Sequence, residues 1–207
     1  MIYTDRFEAG ERLAEKLKDI ADENTLIVAL PRGGVPLAYV ISRKLSIPMD
    51  IYFVKKIPSP YNPEAAIGAI SEDNHIFVNE RARLMLNVAR EYIEEIGLKK
   101  LEEMRKKRAF YKKDRIDPRG KRVIIVDDGI ATGSSMLVAA QALKNEGAKE
   151  VIIAAPVAPP EVAAKLKDVA DQVVLLQTPY DFMAVGQYYK DFHQLEDEEV
   201  KELLESN

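Results

Sequence analysis

The 207-residue chain contains no cysteine, which excludes a disulfide framework, a thiolate metal site and a cysteine nucleophile. Histidine is almost as scarce. His75 and His193 are the only two, too few for a His-rich metal centre. Basic charge is not in excess either: 30 Lys and Arg face 34 Asp and Glu, a formal net charge of -4 and a pI near 5.4. That balance argues against a protein that coats nucleic acid, whose affinity rests on neutralising phosphates. A small anionic ligand stays compatible, because a local field can oppose the net one. No apolar run approaches the roughly 18 to 20 residues of a membrane span. The opening stretch MIYTDRFEAGERLAEKLKDI lacks the basic-then-apolar order of a secretory leader. The expectation is a soluble cytoplasmic protein with neither a nucleic-acid nor a membrane partner, and its length suits one domain with an appendage.

What the chain does have is alternation. Residues 5–21 place Phe7, Leu13, Leu17 and Ile20 near one helical face. TLIVAL, residues 25–30, is a short apolar run ended by Pro31 and suits a strand covered on both sides. PRGG follows, then the helical stretch VPLAYVISRKL, then MDIYFVKKI as one further strand. PSPYNP, residues 58–63, carries three prolines in six positions and reads as a loop. AIGAI and HIFV flank SEDN, which predicts a hairpin about Asp73 and Asn74. Residues 79–113 are rich in Glu, Lys, Arg and Leu and predict one or two helices broken near Gly97. Ile93, Ile96, Leu101 and Met104 there need a partner surface, either the core or a homodimer contact.

DPRG turns the chain into KRVIIVDD, a strand. Ser134 to Glu146 predicts a helix closed by Gly147. EVIIAAPVA is a strand, PPEVAAKLKDVA a helix with proline in its first turn, and QVVLLQ a strand. The tail is aromatic and irregular, then helical from about Asp197. Strand and helix in repeated alternation predict an α/β fold, a doubly wound parallel sheet with helices on both faces. The organisation expected is one domain over 1–207, with a helical insertion at 79–116 and a tail at 177–207. Ligands in such a sheet sit at the carboxyl ends of the strands, where PRGG and DDGIATGSS both fall.

VIIVDDGIATGSSM, residues 123–136, ends an apolar run on two adjacent carboxylates, Asp127 and Asp128, and then enters a loop of Gly, Ala, Thr and Ser. Such a loop ahead of a helix offers unpaired backbone N–H groups and the positive end of the helix dipole, a phosphate cradle. It is neither a Walker A loop nor a GxGxxG loop. The carboxylates stand about one sugar ring from that cradle, placed to accept hydrogen bonds from vicinal hydroxyls. A sugar phosphate held at both ends fits the spacing.

This stretch closely resembles the phosphoribosyl pyrophosphate (PRPP) motif of the type I phosphoribosyltransferases. The resemblance implies that Asp127 and Asp128 hold the ribose hydroxyls and that Ala131, Thr132, Gly133, Ser134 and Ser135, entered through Gly129, hold the 5-phosphate. It implies that Arg32, Gly33 and Gly34 of PRGG contact the pyrophosphate, since Arg offers a charged fork and glycines let N–H groups approach. VKKIPSPYNPEAAIGAISEDN would be the mobile hairpin loop that closes over PRPP. Lys55 and Lys56 at its start join the two acids as expected catalytic residues. NPEAAIGAISEDN and the lengthened helical segment resemble a separate branch of that family.

The implied reaction displaces pyrophosphate from C1 of PRPP by a nitrogen of a base. Mg2+ is the implied cofactor, near Asp127 and Asp128 but with no direct protein ligand assigned. In the hypoxanthine-guanine members an acid precedes the TG pair; Ala131 stands here, as in the adenine and uracil types. Glu64 and Glu72 are the candidate replacement acids. The tail, with Tyr180, Phe182, Tyr188, Tyr189 and Phe192, falls where relatives build a hood over the base. Its rings suit base stacking or core filling equally. The alternative reading is a noncatalytic regulatory protein that binds PRPP or a nucleotide.

Overall fold

The computed structural model describes residues 1–206. Helix α1 (Arg6–Leu17) starts where the Asp5 side chain accepts from the Glu8 N–H at 2.9 Å, a cap that satisfies one otherwise orphaned donor. Its buried stripe is Ala9, Gly10, Leu13, Ala14 and Leu17. Phe7, expected on that stripe, is instead 41% exposed. Gly10 explains the small-residue face: a Cβ there would lie 3.0 Å from the Leu37 Cα, so α1 crosses α2 (Val35–Leu45) at close range.

The main sheet has five parallel strands in the order β2 (Met49–Ile51), β1 (Thr25–Ala29), β6 (Arg122–Val126), β7 (Glu150–Val157) and β8 (Gln172–Gln177). Its strands are continuous apolar runs because both faces are covered. Ile27, Ile124 and Ile152 face one cluster, with Leu13, Leu17, Leu37 and Ile41 of α1 and α2. Leu26, Val28, Val123, Ile125 and Ile153 face the other, against α5 (Ser134–Asn145) and α6 (Pro160–Leu166). The chain is doubly wound, as the alternation predicted. Helix α7 (Asp197–Glu205) closes the tail.

The run MDIYFVKKI is not one strand. It ends in the main sheet at Ile51 and resumes as β3 (Val54–Pro58), which pairs antiparallel with β4 (Ala66–Ser71), itself paired with β5 (Ile76–Val78). The predicted hairpin is that β4–β5 pair, turning through Asn74 at φ 66°. Two helices follow, α3 (Glu80–Met85) and α4 (Arg90–Tyr111). The break falls at Asn87, φ 52°, and α4 runs straight through Gly97. Gly97 is where α4 crosses the small sheet: a Cβ there would meet the side-chain tips of Ile76, Ile70 and Ile57 at 3.5 to 3.8 Å. Ile93, Leu101 and Met104 are buried in the same core, so the partner surface they need is supplied within the chain.

A buried ionic clasp joins these parts. Arg108 of α4 donates to Asp50 at 2.8 Å, to Glu72 at 2.6 Å and to the Ile51 carbonyl at 2.6 Å. Arg115 pairs with Glu72 at 3.1 Å, with Asp73, and with Glu146 at 3.2 Å. One partnered guanidinium, that of Arg108, thus ties α4 to the main sheet and to the turn of the small one.

Candidate active site

Asp127 and Asp128 follow β6 at the carboxyl edge of the sheet. Gly133, at φ 81°, turns the loop into α5 and caps it without a side chain, which leaves the first N–H groups of the helix directed at the loop. Residues 129–136 and Asp127 enclose a hollow of about 120 Å³. Thr132 and Ser134 hydroxyls lie 2.7 Å apart on its rim. Gly129 serves packing: a Cβ there would stand 2.4 Å from Cγ1 of Val185, in the 3-10 turn Val185–Tyr188 that lies over it.

The loop after β1 is pressed onto the end of β6. The Leu30 N–H donates to the Val126 carbonyl at 3.0 Å, and a Cβ on Gly34 would stand 2.4 Å from that same oxygen. A Cβ on Gly33 would stand 2.3 Å from Asp128 Oδ2. Both glycines are therefore required by close approach, whatever donors they also present. The Pro31–Arg32 peptide is cis. Arg32 shares a hollow of about 440 Å³ with Arg6, Gly33, Asp127, Asp128 and the tail residues Phe192 to Leu195. Asp127 lines both hollows and so stands between them.

Electrostatics at the acids are uneven. Burial, then the neighbouring Asp128 charge, pushes the Asp127 carboxyl well above the usual carboxylate range. Burial also raises Asp128, but Arg6 opposes it: Arg6 Nε donates to Asp128 Oδ2 at 3.0 Å. Arg6 in turn donates to the His193 carbonyl at 2.8 Å and lies over the Phe192 ring at 4.1 Å. The Tyr189 hydroxyl donates to the Asp128 carbonyl at 2.6 Å. Among the described residues no group of three or more His, Cys, Asp or Glu could hold a metal by itself. A cation bound here would draw most of its oxygens from its ligand, a donor set that suits Mg2+ better than a softer ion.

Not every expected residue converges. Lys55 and Lys56 line a separate cavity of about 490 Å³ between the small sheet and α5, together with Glu64, Phe77, Ser134 and Ser135. They reach the helix side of the cradle and are absent from the lining of the hollow that contains Asp128. Lys55 Nζ is 3.7 Å from Glu103. Glu72 is committed to the clasp with Arg108 and Arg115, which removes it as an acid for the base. Tyr188 and Tyr189 are buried, Phe182 stacks on Tyr188 with centroids 5.7 Å apart, and Tyr180 is 93% exposed. Core filling accounts for most of the tail aromatics. Arg6 carries no sequence signal of its place here, since an Arg opening an amphipathic helix reads as solvated.

Residues 2–192 match the family model described as phosphoribosyl transferase domain. A Mycobacterium tuberculosis protein provisionally named a phosphoribosyl transferase is 36% identical over 206 residues, 99% of this chain and 46% of its own length. The chain thus spans just under half of that relative. The crystal structure of TT1426 from Thermus thermophilus is 38% identical, with a TM-score of 0.86 over 99% of this chain and 98% of that one. A purine phosphoribosyltransferase from Pyrococcus horikoshii shares the fold at 22% identity and a TM-score of 0.51, over 92% of each chain. The matched span includes both the glycine loop after β1 and the paired acids after β6, and no helix among the described residues is long and apolar enough to cross a membrane. The chain belongs to the phosphoribosyl transferase domain family, built on the type I fold.

Proposed function

We propose that the chain binds PRPP with Mg2+ and transfers its 5-phosphoribosyl group to a nitrogen nucleophile. The observation that carries this reading is the position of Asp127, a residue that lines both the phosphate-sized cradle at the start of α5 and the hollow containing Arg32. One sugar between two phosphate sites matches that order. The 5-phosphate takes N–H and hydroxyl donors from Ala131 to Ser135, the ribose hydroxyls donate to Asp127 and Asp128, and the pyrophosphate lies along Arg32, Gly33 and Gly34. Arg6, on the wall of the same hollow, holds the Asp128 carboxylate in place. Asp127 and Asp128 would stand beside a Mg2+ brought in with PRPP, and the ion would supply charge neutralisation for the pyrophosphate.

In the reaction the C1–O bond to pyrophosphate breaks, the acceptor nitrogen bonds to C1, and the proton that nitrogen loses passes to water or to the departing pyrophosphate. Positive charge grows on the ribose ring as the leaving group departs. The residues here therefore act by positioning and by field, with no protein nucleophile. The proposed setting is the cytoplasm.

The test is a calorimetric titration with PRPP and Mg2+ on the wild type and on Asp127→Asn. Asp127 is the cleaner probe because Asp128 also partners Arg6. Binding by the wild type, weakened at least tenfold in the variant, is expected; about 1.4 kcal/mol separates each factor of ten. Equal affinities would remove Asp127 from the ribose site. A panel of bases assayed for pyrophosphate release then separates transfer from the noncatalytic regulatory alternative, which would bind PRPP and release nothing.

A further inference from the structure

Two cavities meet at one ion pair. Arg32 lies on the wall of the hollow that contains Asp127 and Asp128, and beyond it a second cavity of about 420 Å³ is lined by Lys55, Glu103, Lys106, Lys107, Phe110 and Asp197. Asp197, the first residue of α7, lines the second cavity and pairs with Arg32 on the wall of the first. Its Oδ1 is 3.5 Å from Arg32 Nη1, its Oδ2 is 3.1 Å from Lys107 Nζ, and it accepts from the Tyr111 hydroxyl. A single carboxylate is therefore held by a guanidinium, an ammonium and a phenol that come from a loop after β1 and from α4. Three donors converging on one anion describe an anion site whose occupant here is a side chain.

We propose that Lys107 is, with Arg32, the second arm of the pyrophosphate subsite, and that Asp197 is the resident anion that pyrophosphate displaces. The inference rests on the PRPP reading above. Because both cations touch one carboxylate, they are spaced for two oxygens of one incoming anion. The resident pairs are weak ones: the side chains of Arg32, Lys107 and Asp197 are 38%, 44% and 33% exposed, and exposed ion pairs contribute little and are screened by salt. Pyrophosphate brings several charges where Asp197 brings one, and offers oxygens to both the planar fork of Arg32 and the point charge of Lys107. Lys55 and Lys106 on the same wall add to the positive field, while Glu103 offsets part of it.

Wild type, Lys107→Met and Asp197→Asn would each be titrated calorimetrically with Mg2+-free inorganic pyrophosphate, with ribose 5-phosphate, and with PRPP and Mg2+. Lys107→Met is expected to weaken pyrophosphate and PRPP about tenfold while ribose 5-phosphate stays within about twofold. Asp197→Asn is expected to tighten Mg2+-free pyrophosphate about threefold or more, by removing the competing charge. Opposite signs from two substitutions on one ion pair exclude a general loss of folding. If the wild type binds PRPP and pyrophosphate but neither variant changes the pyrophosphate affinity, this inference falls and the PRPP reading stands. If the wild type binds no PRPP, both fall together.

Discussion

Gly33→Ala tests the packing of the site with the smallest possible change. The added methyl would stand 2.3 Å from Asp128 Oδ2, and an ordinary contact of 3.4 Å requires a shift of about 1.1 Å. Backbone limits where that shift can go, because Gly34 already sits against the Val126 and Leu30 carbonyls. The carboxylate must move, and it is held by Arg6 at 3.0 Å with its side chain only 13% exposed. Losing a charge-assisted hydrogen bond costs about 1.5 to 3 kcal/mol, and overpacking without such a loss costs about 1 to 3 kcal/mol. Taking about 2 kcal/mol, a domain of this size loses about 4 to 8 °C in Tm. PRPP affinity should fall about tenfold or more, since the displaced carboxylate is a ribose contact. Thermal unfolding and calorimetry on the same preparation check both. An unchanged Tm with unchanged PRPP affinity would refute the argument that Gly33 is fixed by its approach to Asp128.

Arg6→Met is expected to destabilise the chain by about 3 kcal/mol or more, because it strands buried carboxylates without their counter-charge. Adding Asp128→Asn to it should recover much of the loss in urea denaturation; strictly additive losses would show that the two side chains do not interact. Burial and the adjacent Asp73 push the Glu146 carboxyl up to about 7 from an ordinary 4.5, so the folded chain keeps a proton that the unfolded chain gives up. Stability from this group is full below about pH 4.5 and is lost as pH rises through about 7. Glu146→Gln should therefore lose less Tm than the wild type between about pH 5 and 8, and parallel slopes would contradict this.

The two glycine loops are legible in the sequence because each follows a short apolar run that suits a covered strand and precedes a helix. Strand, loop and helix together fix where the N–H groups point. The partners of those loops are less visible. Arg6 meets Asp128 across 122 positions of sequence, and Asp197 meets Arg32 from the far end of the chain. Nothing local marks a charged helix start as a site residue. MDIYFVKKI misleads because its apolar continuity hides a change of sheet. The carboxylate of Asp50 inside it is tolerable because Arg108 arrives from a helix 58 positions away, joined by Lys112 and the Ile116 N–H. Gly97 reads as a breaker by propensity, yet it is retained in mid-helix by the isoleucine tips of the small sheet.

The central strands β1 and β6 are neighbours although Thr25 and its partner Arg122 are 97 positions apart. Everything between them, including the small sheet and α4, must be looped out before they pair, and that closure is entropically costly and slow compared with the local hairpin contacts. The glycine loop leaves the end of β1 and the paired acids leave the end of β6, so neither half of the candidate site exists in useful form until this long closure is complete. A ligand that bridges the two would then bind only the fully closed chain and would shift the folding equilibrium by mass action. Occupancy of the site and completion of the fold are thereby linked.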